Sequence, residues 1–166
     1  LTIYAGQIPT ADVLNTELLP GTVIRRGRRI TNSTAAAAEQ SVLRVDDIPV
    51  KSGRLYWLAT GSLAMDTTVS ADSARCLLRA ESTGVATTAS TVVQVSPTYC
   101  GNAAQQDAIQ IGVFYVPPSD QTLSILLTTA RLAGTGNVSL QAAATSPIDL
   151  YVVDCGEDPG DSGVDL

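Results

Sequence analysis

A period of two runs through most of this chain. "RLYWLAT", "ARCLLRAES", "STVVQVS", "AIQIGVFYV", "TLSILLTT", "NVSLQAAA" and "IDLYVVDC" are short runs rich in Val, Ile, Leu, Thr and Tyr, separated by Gly, Pro, Ser and Asp. Such runs read as half-buried strands. With "TVIRRGRRIT" and "SVLRVDDI" added, the pattern predicts about eight or nine strands at the spacing of a sandwich or barrel. The expected fold is all-β: an antiparallel β-sandwich of jelly-roll type. In "ARCLLRAES", Cys76, Leu78 and Ala80 share one face and Arg75, Arg79 and Glu81 the other, so Cys76 reads as a small buried hydrophobe. Gly27, between two arginine pairs, predicts a bulge or tight turn in its segment. "VPPSD" and "LAGTGN" read as loops, because Pro removes donors and Gly admits positive φ.

The opening segment breaks this period. In "TADVLNTEL", Thr10 can cap a helix and Asp12 favours the positive end of its dipole. Val13, Leu14, Glu17 and Leu18 then recur at helical spacing until Pro20 and Gly21 stop it. A helix of about nine residues is marginal alone in water. Its stripe of Val13, Leu14 and Leu18 must therefore dock, either on the chain's own β-domain or on a neighbouring subunit. The expected organisation is a docking segment over 1–21, a β-domain over 22–155 and a loose acidic tail, "GEDPGDSGVDL", over 156–166.

Composition narrows the function. The 166 residues suit one domain. Charged residues make up only 16%, against a usual share of about 25%, so the surface is rich in Thr, Ser and Ala and suits contact with other protein copies. The net charge of −6 opposes nucleic-acid binding, which rests on many Lys and Arg contacts to phosphate. No run reaches the roughly 18 apolar residues of a membrane helix, and no basic, then apolar leader is visible. The chain begins at Leu1 rather than Met, so whether a leader precedes it stays open. Three cysteines, Cys76, Cys100 and Cys155, leave an odd thiol and no disulfide framework, which fits folding in a reducing cytoplasm.

The charge is unevenly placed. Arg25, Arg26, Arg28 and Arg29 cluster near the start, while Asp154, Glu157, Asp158, Asp161 and Asp165 crowd the end. One reading is two solvated faces. The sharper one is an inter-subunit contact, in which the arginines fork onto carboxylates of a neighbour's tail and set register.

Catalytic chemistry finds little footing. There is no histidine, hence no imidazole proton shuttle. "PGDSGV" carries the string around a chymotrypsin-like serine, but Ser162 has no base to take its proton. "VDDI" and "DCGEDPGD" lack the alternating acidic pattern of a calcium loop and read as solvated turns. "GTGNVS" lacks the following Gly and helix of a dinucleotide site and reads as a hairpin turn. Asn32 and Asn137 match glycan-acceptor triplets and read as turn residues. No cofactor or metal is expected. Glycosidase-type carboxylate pairs are left open by sequence alone, and a sugar platform would need Trp57 and the tyrosines.

"YAGQIPTADVLNTELLP" resembles the opening of many virion proteins of tailed bacteriophages, particularly phages of actinobacteria. The matching residues are Ala5, Gly6, Gln7, Thr10, Ala11, Leu14 and Asn15. The ending "SPIDLYVVDCG" is also similar to theirs, with Cys155 departing where an apolar residue is usual. The resemblance implies a non-enzymatic, oligomeric β-sandwich on the particle, as a capsid decoration protein or a minor tail or fibre component, assembled in the host cytoplasm. Its implied partners are copies of itself, with a homotrimer expected, and other virion proteins such as the major capsid or tail proteins. The alternative is a receptor-binding module for a host-surface glycan.

Overall fold

The computed structural model describes residues 21–160. Val13, Leu14 and Leu18, with the helix expected to carry them, lie outside the described residues, as does Ser162. Eleven strands follow in order: β1 (Thr22–Arg29), β2 (Gln40–Val50), β3 (Arg54–Thr60), β4 (Leu63–Thr67), β5 (Asp72–Glu81), β6 (Thr91–Cys100), β7 (Asp107–Ile109), β8 (Gly112–Tyr115), β9 (Gln121–Ala133), β10 (Val138–Gln141) and β11 (Ile148–Glu157). No described residue is helical, and no helix among them is long and apolar enough to cross a membrane.

The strands form three antiparallel sheets, β1-β11-β3-β8, β10-β4-β7 and β2-β9-β5-β6. Period-two alternation turns Leu150 and Val152 of β11, Tyr56 and Leu58 of β3, Ile48 of β2, Ile125 and Leu127 of β9 and Cys76 and Leu78 of β5 into one core. The short sheet adds Leu63, Met65, Val138 and Leu140. Two sheets facing across shared side chains bury the apolar half of most strands, which is what lets an alternating sequence fold at all. Burial pushes the Cys76 thiol up to about 12, so it stays a neutral, inert filler as its pattern predicted.

Differences from the expected layout have local causes. "AIQIGVFYV" is not one strand: Gln110 and Ile111 break it, sending β7 and β8 to different sheets. "LAMDT" forms β4, which five residues of pattern did not reveal. The segment around Gly27 carries the expected bulge, though not at Gly27 itself. The bulge in β1 lies between Val23 and Arg25, whereas a Cβ on Gly27 would sit 2.7 Å from Val45 Cγ2; glycine is there because β1 approaches β2 closely. "GTGN" is no hairpin, since β9 and β10 belong to different sheets. Its backbone instead wraps the buried Asp72 carboxylate, with Gly136 N donating at 2.6 Å and Thr135 N at 3.1 Å. "VDDI" is a bulge of β2 rather than a solvated turn, with Asp47 at φ 55°. β11 runs on to Glu157, into the first residues of the expected tail.

Candidate functional site

Strand alternation decides where each of the four clustered arginines goes. Arg25 and Arg29 reach β2: Arg25 Nε donates to the Asp47 carbonyl at 3.2 Å, and Arg29 Nη1 to the Val42 carbonyl at 2.9 Å. Arg29 also donates to the carbonyls of Thr31 and Asn32. With Gly27 between them, these two arginines clamp the edge strand of one sheet to the edge strand of the other. Charge on an edge strand also discourages pairing with a foreign strand.

Arg26 and Arg28 point the other way, onto the outward face of β1-β11-β3-β8. The β1–β11 register sets Arg28 opposite Asp149 and Arg26 opposite Tyr151. Both guanidinium groups converge on one carboxylate, Arg26 Nη2 at 2.8 Å and Arg28 Nε at 3.0 Å from Asp149. Burial raises the pKa of Asp149, but the hydrogen bonds from Arg26 and then Arg28 outweigh it and hold the acid below its ordinary 3.8. The arginines are half exposed and outnumber the carboxylate by one.

The carboxylates expected opposite these arginines lie elsewhere. Asp154, expected at a contact with another copy, is buried, its side chain 3% exposed. Arg54 of β3 grips it through Nη2 at 2.7 Å and Nε at 2.9 Å, and Gly156 N adds a third donor at 2.9 Å. It is a structural ion pair fixing the bulge of β11. Glu157 is exposed at the end of that strand, and Asp158 accepts from Gly160 N.

Beside the Asp149 cluster, register builds a rung of outward side chains across the whole sheet. Val23 of β1 lies opposite Val153 of β11, Val153 opposite Trp57 of β3, and Trp57 opposite Phe114 of β8. Phe114 is 61% exposed and Val23 53%. The Trp57 and Phe114 rings are 4.7 Å apart and tilted at 50°, a favourable aromatic geometry. In the neighbouring rung Ala59 and Gly112 are small, and the Trp57 indole lies over Gly112 so closely that a Cβ there would overlap it. Tyr151 leans across β3 to donate its hydroxyl to the Thr60 carbonyl at 3.2 Å. Val23, Arg26, Gly61, Asp149 and Tyr151 line an open cavity of about 240 Å³ on this face.

Comparison with protein-family models and with curated proteins finds no match. Among solved structures the chain is similar to the infectious bursal disease virus VP2 subviral particle, at 7% identity and a TM-score of 0.40 over 80% of this chain and 37% of that one. It is also similar to CBM4, in a structure described as "CBM4 structure and function", at 11% identity and a TM-score of 0.27 over 74% of this chain and 78% of that one. The chain thus spans well under half of the VP2 chain. Likenesses of this strength carry no argument about function, which has to rest on the face itself.

That face offers no set of catalytic groups: its one carboxylate is held ionised by two cations, and the sequence has no histidine. Among the described residues no cluster of three or more His, Cys, Asp or Glu is placed to hold a metal ion. What it offers is an aromatic and aliphatic band beside fixed charges, the composition of the anchored centre of a contact surface. Of its members only Arg26, Arg28 and Trp57 stood out in the sequence. Asp149, Tyr151 and Val153 were implicit in the alternation of "IDLYVVDC", which sends every second residue outward. Phe114 was hidden inside a run that the fold divides.

Proposed function

We propose that the protein is a non-enzymatic structural subunit of a bacteriophage virion, a jelly-roll-type β-sandwich that decorates the capsid or builds part of the tail or fibre. It assembles symmetrically with copies of itself, as a trimer, through the outward face of β1-β11-β3-β8, and in turn with the capsid or tail proteins beneath it. The observation that carries the reading is the rung of Val23, Val153, Trp57 and Phe114, an apolar band left facing water across four strands. A monomer gains nothing from exposing it, whereas a symmetric contact buries it behind the polar rim of Arg26, Arg28 and Asp149. The resemblance of the opening segment to phage virion proteins supplies the setting.

Light scattering on the full chain tests this. Phe114→Ser, at a position too exposed to unfold the domain, should weaken association by about ten-fold or more; association equal to that of the parent chain would contradict the reading. A second function is favoured by one specific feature, the Trp57 and Phe114 ring pair on the same outward face as the open cavity, which suits a host-surface glycan stacking on an aromatic platform. A glycan array with the soluble chain separates the two: binding that is lost in Trp57→Ala selects the receptor-binding module.

A further inference from the structure

Strand β6 is written inside out. The β5–β6 register places Thr98 opposite Ala74, Ser96 opposite Cys76 and Gln94 opposite Leu78, and those three β5 residues belong to the core. Between Val93, which packs against the core, and the fully buried Cys100, β6 thus turns Gln94, Ser96 and Thr98 to the inner side, and Ser96 Oγ donates to the Gln110 carbonyl at 3.1 Å. Its apolar side points out: Val92, Val95, Pro97 and Tyr99 lie opposite Arg79, Leu77, Arg75 and Ser73. Tyr99 is 62% exposed, Val95 41% and Val92 40%. A strand that turns Val92, Val95 and Tyr99 to water over a run of polar residues on its inner side points to an occupant outside the chain.

Arg75, in the middle of this strip, supplies an independent sign. Its Nε is buried and has no hydrogen-bond partner. The nearest acid on this face, Glu39, is taken by Arg79 Nε and Nη2, both at 2.7 Å, and by the Thr128 hydroxyl at 2.6 Å; it acts on Arg75 only at longer range. Arg26, Arg28, Arg44, Arg54 and Arg79 each have a carboxylate within the chain, and Arg25, Arg29 and Arg131 donate to carbonyls. A buried guanidinium nitrogen left without an acceptor costs stability, and it marks Arg75 as a cation for which the described chain supplies no carboxylate.

We propose that the outward strip of β6, centred on Arg75, is a contact for a second copy of this chain, which brings a carboxylate to the Arg75 guanidinium. Charge selects the occupant: the chain carries a net −6 and displays exposed carboxylates such as Asp47 and Glu157, so a copy supplies the missing anion. Pro97 removes a backbone donor from this edge strand, so the copies meet face on rather than by adding a strand. The inference rests on the self-association reading but concerns the opposite side of the molecule. Two contact faces on opposed sheets let one subunit touch two sets of neighbours, as a covering layer requires and a simple dimer does not.

Sedimentation of the full chain over a concentration series, at low and high salt, tests it with Arg75→Met and Val95→Glu. Both variants should associate about ten-fold more weakly or worse. Arg75→Met should also lose the salt dependence of this contact while leaving the melting temperature of the dissociated chain unchanged or raised, because an unmatched cation has been removed. Parent-like association of both variants overturns the proposal. If Phe114→Ser separates the copies while both β6 variants do not, the self-association reading stands and this contact falls. A parent chain that stays monomeric throughout removes both.

Discussion

The two four-stranded sheets share one core but face outward with different chemistry. On β1-β11-β3-β8 the buried and half-buried carboxylates are closed within the chain, Asp149 between Arg26 and Arg28 and Asp154 under Arg54, and only Glu157 at the end of β11 stands exposed among the described acids of that sheet. The apolar surplus there is aromatic and lies across the strands as a rung. On β2-β9-β5-β6 the surplus is valine and proline with the single ring of Tyr99, runs along one edge strand, and lies beside an arginine nitrogen without an acceptor. The difference teaches that an exposed apolar group and an open charge carry separate information. Under the proposed self-association, the first marks a surface to be covered, and the second what the cover would bring.

The largest effect should come from opening a closed charge. Arg54→Met leaves the Asp154 carboxylate buried beside a single backbone donor, and should cost about 3 to 5 kcal/mol of folding stability by chemical denaturation. Arg75→Met, the matching change on the other sheet, should cost the isolated chain nothing. Equal losses for the two would erase the contrast between the faces.

Gly112→Ala sharpens the aromatic side. The new methyl must push the Trp57 ring off its seat, and overpacking of this kind costs about 1 to 3 kcal/mol, toward the lower end here because the ring can swing into solvent. Trp57 is the chain's single tryptophan, so its fluorescence reports the displacement directly as a red shift. An unchanged spectrum would mean that the indole does not lie over Gly112.

Asp149→Asn should be milder, within about 1 kcal/mol, because its arginine partners are half exposed and screened. Smallest of all is its pH signature. Asp149 and Glu39 are held below their ordinary values of 3.8 and 4.5 in the fold, so as pH falls the unfolded chain takes up protons first. Their contribution is complete above the ordinary values and fades as pH drops through the lowered ones. In an acid titration of stability, Asp149→Asn should flatten this decline below about pH 4, and an identical acid limb would show that Asp149 is not held by its arginines.

Much of the fold was legible because alternation is a local property. "RLYWLAT" is β3 residue for residue, and the Cys76, Leu78, Ala80 face is buried as its pattern required. β4 escaped because five residues after a glycine give too little period to recognise, and β7 and β8 because nothing in "AIQIGVFYV" announces a change of sheet. The site was less legible. The arginine cluster was visible, but its acid, Asp149, lies more than a hundred residues away, and register between distant strands is set by the whole core. Asp154 was misjudged as surface because acidity near a chain end reads as exposure until a partner such as Arg54 appears across a strand pair. Of β6 the sequence showed "STVVQVS" as a half-buried strand, but which side faced inward depended on its pairing with β5.

Sedimentation equilibrium of the full chain at micromolar concentrations tests the central claim most directly, since the proposal holds that copies cover the apolar rung. The account predicts a discrete closed oligomer, a trimer, which dissociates when Phe114→Ser is introduced. A single monomeric species across the whole range, unchanged by Phe114→Ser, would contradict it.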